Sequence, residues 1–282
     1  MKKFYLAFMA VAALVLASCN PTPGNDPDAL TNKVNPETED YTRVILIEQF
    51  TSQSCGNCPN GTQAIKNTIA GNESRVAWIT HHAGYGTDDF TIKASEGIAS
   101  FFKVNAAPNM ILNREVQKYH DFGMDASGQP VIGAETSSLV FHPAYSQMGG
   151  ISTMYEDAFR SEGMASINIK KEMVDGALKV GVYGAVKGEQ KVCLNVVLVE
   201  NNLKAKQYGP TGWDENYIHN NVPRVVVTPQ LGEPITLDAA TYQKEYEIAL
   251  NPKWKLENCE IVVFVTKSNY KTVLNAASVP VQ

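Results

Sequence analysis

Two hydrophobic patterns divide this chain near residue 163. Before it, short apolar runs suited to buried strands alternate with stretches of helical period. After it, apolar and polar residues alternate with a period of two, as in half-buried strands. Asp175 and Gly176 interrupt that alternation with a strong hairpin signal. The chain therefore changes from mixed α and β structure to β structure part-way along its length.

The first pattern predicts an α/β domain over residues 41–163. Its strands are expected at 44–47, 76–80 and 109–112, and its helices at 61–70, 92–102 and 151–160. Residues 164–282 have about seven short strands with turns and no long helix, which indicates an antiparallel, immunoglobulin-like β-sandwich. These strands are expected near 167–169, 178–182, 192–199, 224–228, 242–250, 261–266 and 272–276.

The start of the chain has the form of a secretory signal. Lys2 and Lys3 precede an apolar run over residues 4–16, which is too short to be a membrane span. The run ends in Leu16–Cys19 (LASC), the pattern of a bacterial lipobox. Residues 1–18 would be removed and Cys19 would carry lipid; a plain signal peptide with a chance cysteine is the alternative. Asn20 after the cysteine favours the outer membrane, by analogy with enteric lipoprotein sorting.

Residues 19–40 are predicted to be a lipidated tether, because they are rich in Pro, Asn, Asp and Thr and show no hydrophobic period. The 282 residues contain 24 Lys and Arg against 29 Asp and Glu, a formal charge of −5. Such a balance argues against electrostatic binding of nucleic acid. The membrane partner is therefore reached through lipid on Cys19, in an oxidising compartment that favours disulfides and thiol chemistry.

The candidate chemistry lies in Cys55–Pro59 (CGNCP), which follows a predicted strand and opens a predicted helix. The order of strand, CxxC, helix, strand, helix and x-Pro turn resembles the thioredoxin fold. Cys55 at a helix N-terminus would have a stabilised thiolate, and Cys58 would be the resolving thiol. Pro108 would be the cis-proline that thioredoxin-like proteins place beside the pair. No cofactor is expected.

Some residues depart from the thioredoxin pattern. Gln49 stands where many thioredoxins carry a buried proton-accepting carboxylate, and Glu48 should point to the other face of its strand. A redox-active dithiol and a static disulfide therefore both stay open. A metal site with His81 and His82 is disfavoured, because adjacent strand residues face opposite ways.

Two further features belong to the second domain. Cys193 and Cys259 each begin an apolar strand and form either a structural disulfide or two separate buried thiols. Residues 217–224 are rich in polar and aromatic side chains, and we expect a long loop there, either pinned by Trp213 and Tyr217 or used for binding.

Together these residues resemble the Omp-twenty-eight-related outer-membrane lipoproteins of Bacteroides-type bacteria. The resemblance rests on the lipobox, on Glu48–Thr51 (EQFT) running into the CxxC, on His81, and on Leu198–Asn202 (LVENN), residues 217–224 and Ile261–Val265 (IVVFV). It implies an outer-membrane lipoprotein with a thioredoxin-like domain and a β-sandwich. It implies roles for Cys55, Cys58 and Pro108, but no substrate.

Two hypotheses follow. In the first, the protein is a membrane-tethered thiol–disulfide oxidoreductase in which Cys55 attacks a disulfide of an envelope protein and Cys58 resolves the mixed disulfide. In the second, it is a non-enzymatic binding or adhesion protein whose CxxC disulfide is structural. A trans peptide before Pro108, or full burial of Cys55, would favour the second hypothesis.

Overall fold

A three-stranded sheet forms the centre of the first part of the chain. The computed structural model describes residues 29–124, 126–127, 130–143 and 152–282, so the predicted signal peptide and Cys19 lie outside the described residues. Strand β1 (Ile45–Thr51) lies between β2 (Val76–His82), which is parallel to it, and β3 (Asn109–Leu112), which is antiparallel. All seven residues of β1 are buried, as its apolar run predicts.

Helices cover both faces of this sheet. They are α1 (Cys58–Ile69), α2 (Lys93–Phe101) and α3 (Ser152–Arg160), close to the predicted positions. Ile45 and Ile47 of β1 pack with Ile65 of α1 and Tyr155 of α3 on one face. Phe50 lies on the opposite face in a cluster with α2. The strand alternation thus assigns each helix to a face.

The β4–β5 hairpin was not predicted from the hydrophobic pattern. It consists of β4 (Gln117–Met124) and β5 (Pro130–Ser138), which pair only with each other among the described strands. After the hairpin, Phe141 returns to the first sheet and pairs with Met110. The two strands are rich in polar residues and lack a continuous apolar face, which explains why the pattern gave no signal.

The second part is a sandwich of two antiparallel sheets, as predicted. One sheet has the order β13-β7-β6, and the other has the order β11-β8-β14-β15 with β12 also paired to β8. Valines and leucines from both sheets form the core between them. The strands are β6 (Asn168–Val174), β7 (Ala177–Ala185), β8 (Lys191–Glu200), β11 (Val222–Val226), β12 (Glu233–Thr236), β13 (Thr241–Ala249), β14 (Cys259–Lys267) and β15 (Val273–Pro280).

The hairpin between β6 and β7 turns at Asp175 and Gly176, as the sequence predicts. Both residues have positive φ angles, 51° and 81°. Two consecutive positive φ angles are the geometry of the type I′ turn, which matches the twist of the flanking strands.

The outer face of the five-stranded sheet packs on the first sheet. Leu46 and Ile79 of the first sheet share a buried cluster with Val197, Val262 and Phe264 of the sandwich. The molecule is therefore layered: helices α1 and α3, the first sheet, and then the two sheets of the sandwich, with α2 beside the sandwich. The residues on both faces of β1 are buried because each face meets another layer.

Residues 217–224 do not form the loop expected from the sequence. They include the end of β10 (Gly212–His219) and the start of β11, and β10 pairs with β9 (Leu203–Gly209) in a separate two-stranded sheet. Residues 217–224 are polar because the β9–β10 hairpin lies at the surface of the protein. One side of the hairpin faces solvent, and the other contacts backbone carbonyl groups of the first part rather than an apolar core.

Cys193 and Cys259 are two separate buried thiols, so the disulfide considered from the sequence is absent. Cys193 lies in β8 and Cys259 in β14, which are neighbours in one sheet. Cys193 pairs with Thr266 and Cys259 pairs with Glu200, however, so the two cysteines lie at opposite ends of the β8–β14 ladder. At a rise of about 3.4 Å per residue, this places the two thiols roughly 20 Å apart. A disulfide needs Cα atoms within about 7 Å.

Residues 29–40, the described part of the predicted tether, lie against the sandwich. Lys170 donates a hydrogen bond to the Ala29 carbonyl, and Asn168 donates one to the Glu39 carboxylate. A Cβ added at Gly181 would lie 2.0 Å from the Leu30 carbonyl oxygen, so this glycine permits a close approach of the two backbones. Contact with the sandwich orders a segment that has no hydrophobic period of its own.

Candidate active site

Cys55 and Cys58 form a disulfide at the N-terminus of α1, with 5.4 Å between their Cα atoms. Strand β1 ends at Thr51, and the backbone turns so that the Cys58 N–H donates to the Cys55 carbonyl oxygen. Helix α1 begins at Cys58, with Pro59 in its first turn. Backbone N–H groups in the first turn have no intrahelical acceptor, so the N–H that proline lacks costs no helical hydrogen bond. Cys55 thus lies just before the helix, near its positive end.

Pro108, which the sequence predicts to lie beside the cysteine pair, packs against helix α1. The Ala107–Pro108 peptide is cis. A Cβ added at Gly61 would lie 2.7 Å from Cβ of Pro108, so the proline ring rests on the bare backbone of α1 one turn after Cys58. Gly61 was not selected from the sequence, although a glycine inside a helical pattern is a general sign of such a close approach.

The disulfide is almost completely buried, which was not predicted. Cys55 is 3% exposed and Cys58 is 1% exposed. The β9–β10 hairpin covers them, and we call it the cap. The Gln207 side-chain amide donates hydrogen bonds of 3.1 Å to the carbonyl oxygens of Ser52 and Cys55. A Cβ on Gly56, inside the CxxC turn, would lie 3.3 Å from the Tyr208 ring.

Gln53 also connects the CxxC turn to the cap. Its carbonyl oxygen accepts a 2.7 Å hydrogen bond from the Tyr208 N–H, and its side chain donates to the Lys206 carbonyl. Its own N–H donates to the carboxylate of Asp88 in the loop that follows β2. Neither Gln53 nor Gln207 belongs to a sequence pattern that would have identified it, because their partners come from distant parts of the chain.

Gln49 is buried behind Cys58, in the position considered for a proton-accepting carboxylate. Its Nε2 donates to the Thr62 hydroxyl at 2.8 Å, while its Oε1 has no hydrogen-bond partner in the structure. Both residues line a cavity of about 30 Å³ together with Cys58 and Tyr217. Among the described residues, no carboxylate lines this cavity next to the buried Cys58.

Glu48 points to the opposite face of β1, as predicted. It forms a bidentate ion pair with Arg114, with both distances 2.7 Å, and lies 3.5 Å from His81. Burial alone would raise the pKa of Glu48, but the charge and hydrogen bonds of Arg114 outweigh burial and hold the pKa at about 2. Glu48 is thus permanently ionised near neutral pH and is a structural partner of Arg114.

His81 and His82 face opposite ways, as their positions on a strand require. His81 contacts Ser95, whereas His82 contacts Asp88 at 2.8 Å and lies 5.3 Å from the His219 ring of the cap. Burial and the neighbouring His82 lower the pKa of His219 to about 4. Among the described residues, no group of three or more His, Cys, Asp or Glu side chains could hold a metal ion.

A family model describes most of this chain. The model for outer membrane protein Omp28 matches residues 95–282. The chain belongs to the Omp28 outer membrane protein family. It is therefore an outer-membrane protein, and within the described ranges no helix has the length and apolar character needed to cross a membrane. The match begins after the CxxC motif, so Omp28 membership by itself assigns no role to Cys55 and Cys58.

Solved structures give a fold comparison for this Omp28 family member. HBP35 of Porphyromonas gingivalis is similar with a TM-score of 0.65 and 16% identity, covering 86% of this chain and 76% of that one. A domain of the outer membrane lipoprotein Omp28 from Porphyromonas gingivalis is 23% identical over 42% of this chain and 87% of that domain, with a TM-score of 0.30. No curated protein matches the sequence.

Proposed function

We propose that this outer-membrane protein exchanges disulfides with envelope proteins through Cys55 and Cys58. The observation that carries the proposal is the position of the disulfide, which lies between the end of a central buried strand and the start of α1. A cysteine there has its thiolate stabilised by the helix N-terminus. The contact of Pro108 with Gly61, one turn after Cys58 in α1, also supports the proposal.

We infer that residues 41–163 form a thioredoxin-like domain and that residues 164–282 form an immunoglobulin-like one. The first assignment is supported by a central β1 between a parallel β2 and an antiparallel β3, with the disulfide and Pro108 at the same site. The second is supported by two antiparallel sheets with a shared core. The fold similarity to HBP35 extends over 86% of the chain.

The exchange reaction needs only the two cysteines and a substrate disulfide. The Cys55 thiolate attacks one substrate sulfur, a mixed disulfide forms, and the other substrate sulfur leaves as a thiolate that takes a proton. The Cys58 thiolate then attacks the Cys55 sulfur and releases the second substrate thiol. Two electrons pass to the substrate, and the protein is left with the Cys55–Cys58 disulfide; the reverse sequence oxidises a substrate dithiol.

We further propose that the protein is held at the outer membrane by lipid on Cys19 after removal of residues 1–18. The proposal rests on the lipobox pattern and agrees with the family's location. An anchor at this position would keep the thiol pair in the oxidising envelope, where disulfides of the proposed substrates form and persist.

A second candidate function is binding without catalysis, with the disulfide as a structural link. The observation that favours it is the burial of both cysteines beneath the cap. The uncharged Gln49 behind Cys58 also favours it, because an amide cannot accept the proton of a thiol. In that case the disulfide would stabilise the turn before α1, and partners would bind elsewhere on the molecule.

Trapping of a mixed disulfide separates the two functions. In a Cys58→Ala variant of the full chain, Cys55 can attack a substrate disulfide but no thiol resolves the adduct. We expect covalent adducts in the cell envelope, visible on non-reducing gels, lost on reduction, and mapped to Cys55 by mass spectrometry.

The matched control is the Cys55→Ala/Cys58→Ala double variant, which keeps Cys19, Cys193 and Cys259 and should form no such adducts. Absence of adducts in the single variant, together with resistance of Cys55 to alkylation after mild reduction, would contradict the exchange function and support the binding function.

A further inference from the structure

The cap is connected to the rest of the protein in a way that would let it move as a unit. Strands β9 and β10 pair only with each other among the described strands, so the hairpin can swing without breaking the ladder of either sandwich sheet. Within the hairpin, the Tyr208 and Trp213 rings lie 5.3 Å apart and Lys206 lies over the Trp213 ring.

The base of the cap is held by two asparagine pairs. The Asn202 N–H donates to the Asn220 side chain, and the Asn221 N–H donates to the Asn201 side chain. Asn202 and Asn221 have positive φ angles of 57° and 58°, which asparagine tolerates better than most residues. These bonds fix the base, while the tip at residues 209–212 lies over Pro59 and the CxxC turn.

Gln207 is the cap side chain that binds the backbone of the CxxC turn, in addition to the hydrogen bonds between Gln53 and the cap. Gln207 is 2% exposed, and its Nε2 is within 3.1 Å of the Ser52 and Cys55 carbonyl oxygens and 2.9 Å from the Tyr208 carbonyl oxygen. The two carbonyl groups of the CxxC turn are bound by a residue about 150 positions later in the chain. Cys55 is 3% exposed beneath this contact, which leaves little room for an attacking sulfur.

We propose that Gln207 is a positioning residue that latches the β9–β10 cap over the Cys55–Cys58 disulfide, so that a substrate protein reacts only after the cap has opened. This inference rests on the proposed exchange function, but its test does not. The latch sets how fast any reductant reaches Cys55, whereas the exchange function concerns which proteins react there.

The test measures reduction of the disulfide by a phosphine reductant in the full-length protein, followed by quenching with a thiol reagent and mass spectrometry of Cys55. We expect the wild-type disulfide to react far more slowly than the same disulfide in a synthetic peptide of residues 52–60. Gln207→Ala should speed reduction by roughly ten- to hundredfold, the factor expected for losing one or two hydrogen bonds.

Gln207→Glu sharpens the test because it preserves size and shape. At neutral pH it replaces an amide donor by a carboxylate that faces carbonyl oxygens, so reduction should be at least as fast as in Gln207→Ala. Gln243→Ala, at an exposed position of β13, is the matched control and should react at the wild-type rate. The thermal unfolding midpoint separates a loosened cap from a destabilised fold.

Two results would overturn the latch. One is a wild-type rate equal to that of the peptide. The other is an unchanged rate in both Gln207 variants with the fold intact. Faster reduction in the variants without any adduct in Cys58→Ala would support the latch and remove only the exchange function. If the variants unfold at a lower temperature than wild type, amide hydrogen exchange of Tyr208 and Gln207 in the wild-type protein measures how fast the cap opens. An opening rate slower than the rate of disulfide reduction would contradict the latch.

Discussion

At the scale of single residues, Glu48 and Arg114 form an ion pair in which both side chains are buried. The Arg114 guanidinium lies between two rings, 5.1 Å from the Phe102 centroid and 4.8 Å from the Phe264 centroid, while both its bonds to Glu48 are 2.7 Å. This one side chain thus connects the first sheet, the end of α2 and the sandwich. Removing one partner of a buried ion pair destabilises a protein, because the remaining charge stays buried without a partner.

We predict that Arg114→Met lowers the free energy of unfolding by about 3–5 kcal/mol, because it leaves the Glu48 charge buried without its main partner. Adding Glu48→Gln to this variant should restore part of the loss. Urea unfolding at pH 7 measures both changes. An Arg114→Met protein as stable as wild type would show that the pair contributes little.

The same pair predicts a pH dependence. The pKa of Glu48 is held at about 2, below its value of 4.5 in the unfolded chain, so ionised Glu48 stabilises the fold above about pH 4.5. That contribution is lost as the pH falls from 4.5 toward 2, and its size is of order 3 kcal/mol. Urea unfolding at pH 6 and pH 3 should show a smaller acid loss in Glu48→Gln than in wild type, and an unchanged loss in the exposed-site control Glu247→Gln.

At the scale of elements, hydrophobic period was enough to predict the three helices and most strands of the sandwich. It did not predict the hairpins β4–β5 and β9–β10, because neither carries a continuous apolar face. Both hairpins lie on the surface of other elements, and the cap binds backbone carbonyl groups through Gln207. A hydrogen bond between distant chain segments leaves no period in the sequence.

The contact between α1 and Pro108 gives a prediction at this scale. Gly61→Ala should destabilise the protein by about 1–3 kcal/mol, because the added Cβ would lie 2.7 Å from the rigid Pro108 ring. Gly97→Ala in α2 is the matched control: its Cβ would meet only the flexible end of Gln230, and alanine favours the helix. Thermal unfolding of both variants checks this, and equal midpoints would contradict the close packing.

At the scale of the whole molecule, the packing of the first sheet on the sandwich decides how independent the two parts are. Leu46 and Ile79 share their cluster with Phe264 and neighbouring valines of the sandwich. Arg43 donates hydrogen bonds to the carbonyl oxygens of Val273 and Leu274 in β15. The division at residue 163 remains a prediction, but the contacts between the two parts include apolar and polar groups that are all buried.

We predict that the two parts unfold together. Phe264→Ala should cost about 3–5 kcal/mol, because it removes a buried aromatic ring from this contact. Hydrogen exchange measured by mass spectrometry should then rise in β1 and β2 as well as in β8 and β14. Met173→Ala, at an exposed position of β6, is the control and should change little. Unchanged protection of β1 and β2 in Phe264→Ala would indicate two independently folding domains.

The sequence by itself determined the three helices, most strands of the β-sandwich, the opposite orientations of Glu48 and Gln49, and the candidate pair Cys55 and Cys58, because local period and motif spacing encode these features. Only the tertiary structure decided that Cys193 and Cys259 stay apart and that residues 29–40 lie on the sandwich. It also decided that the cap buries the disulfide. These outcomes depend on contacts between residues far apart in the chain, which spacing along the sequence does not record.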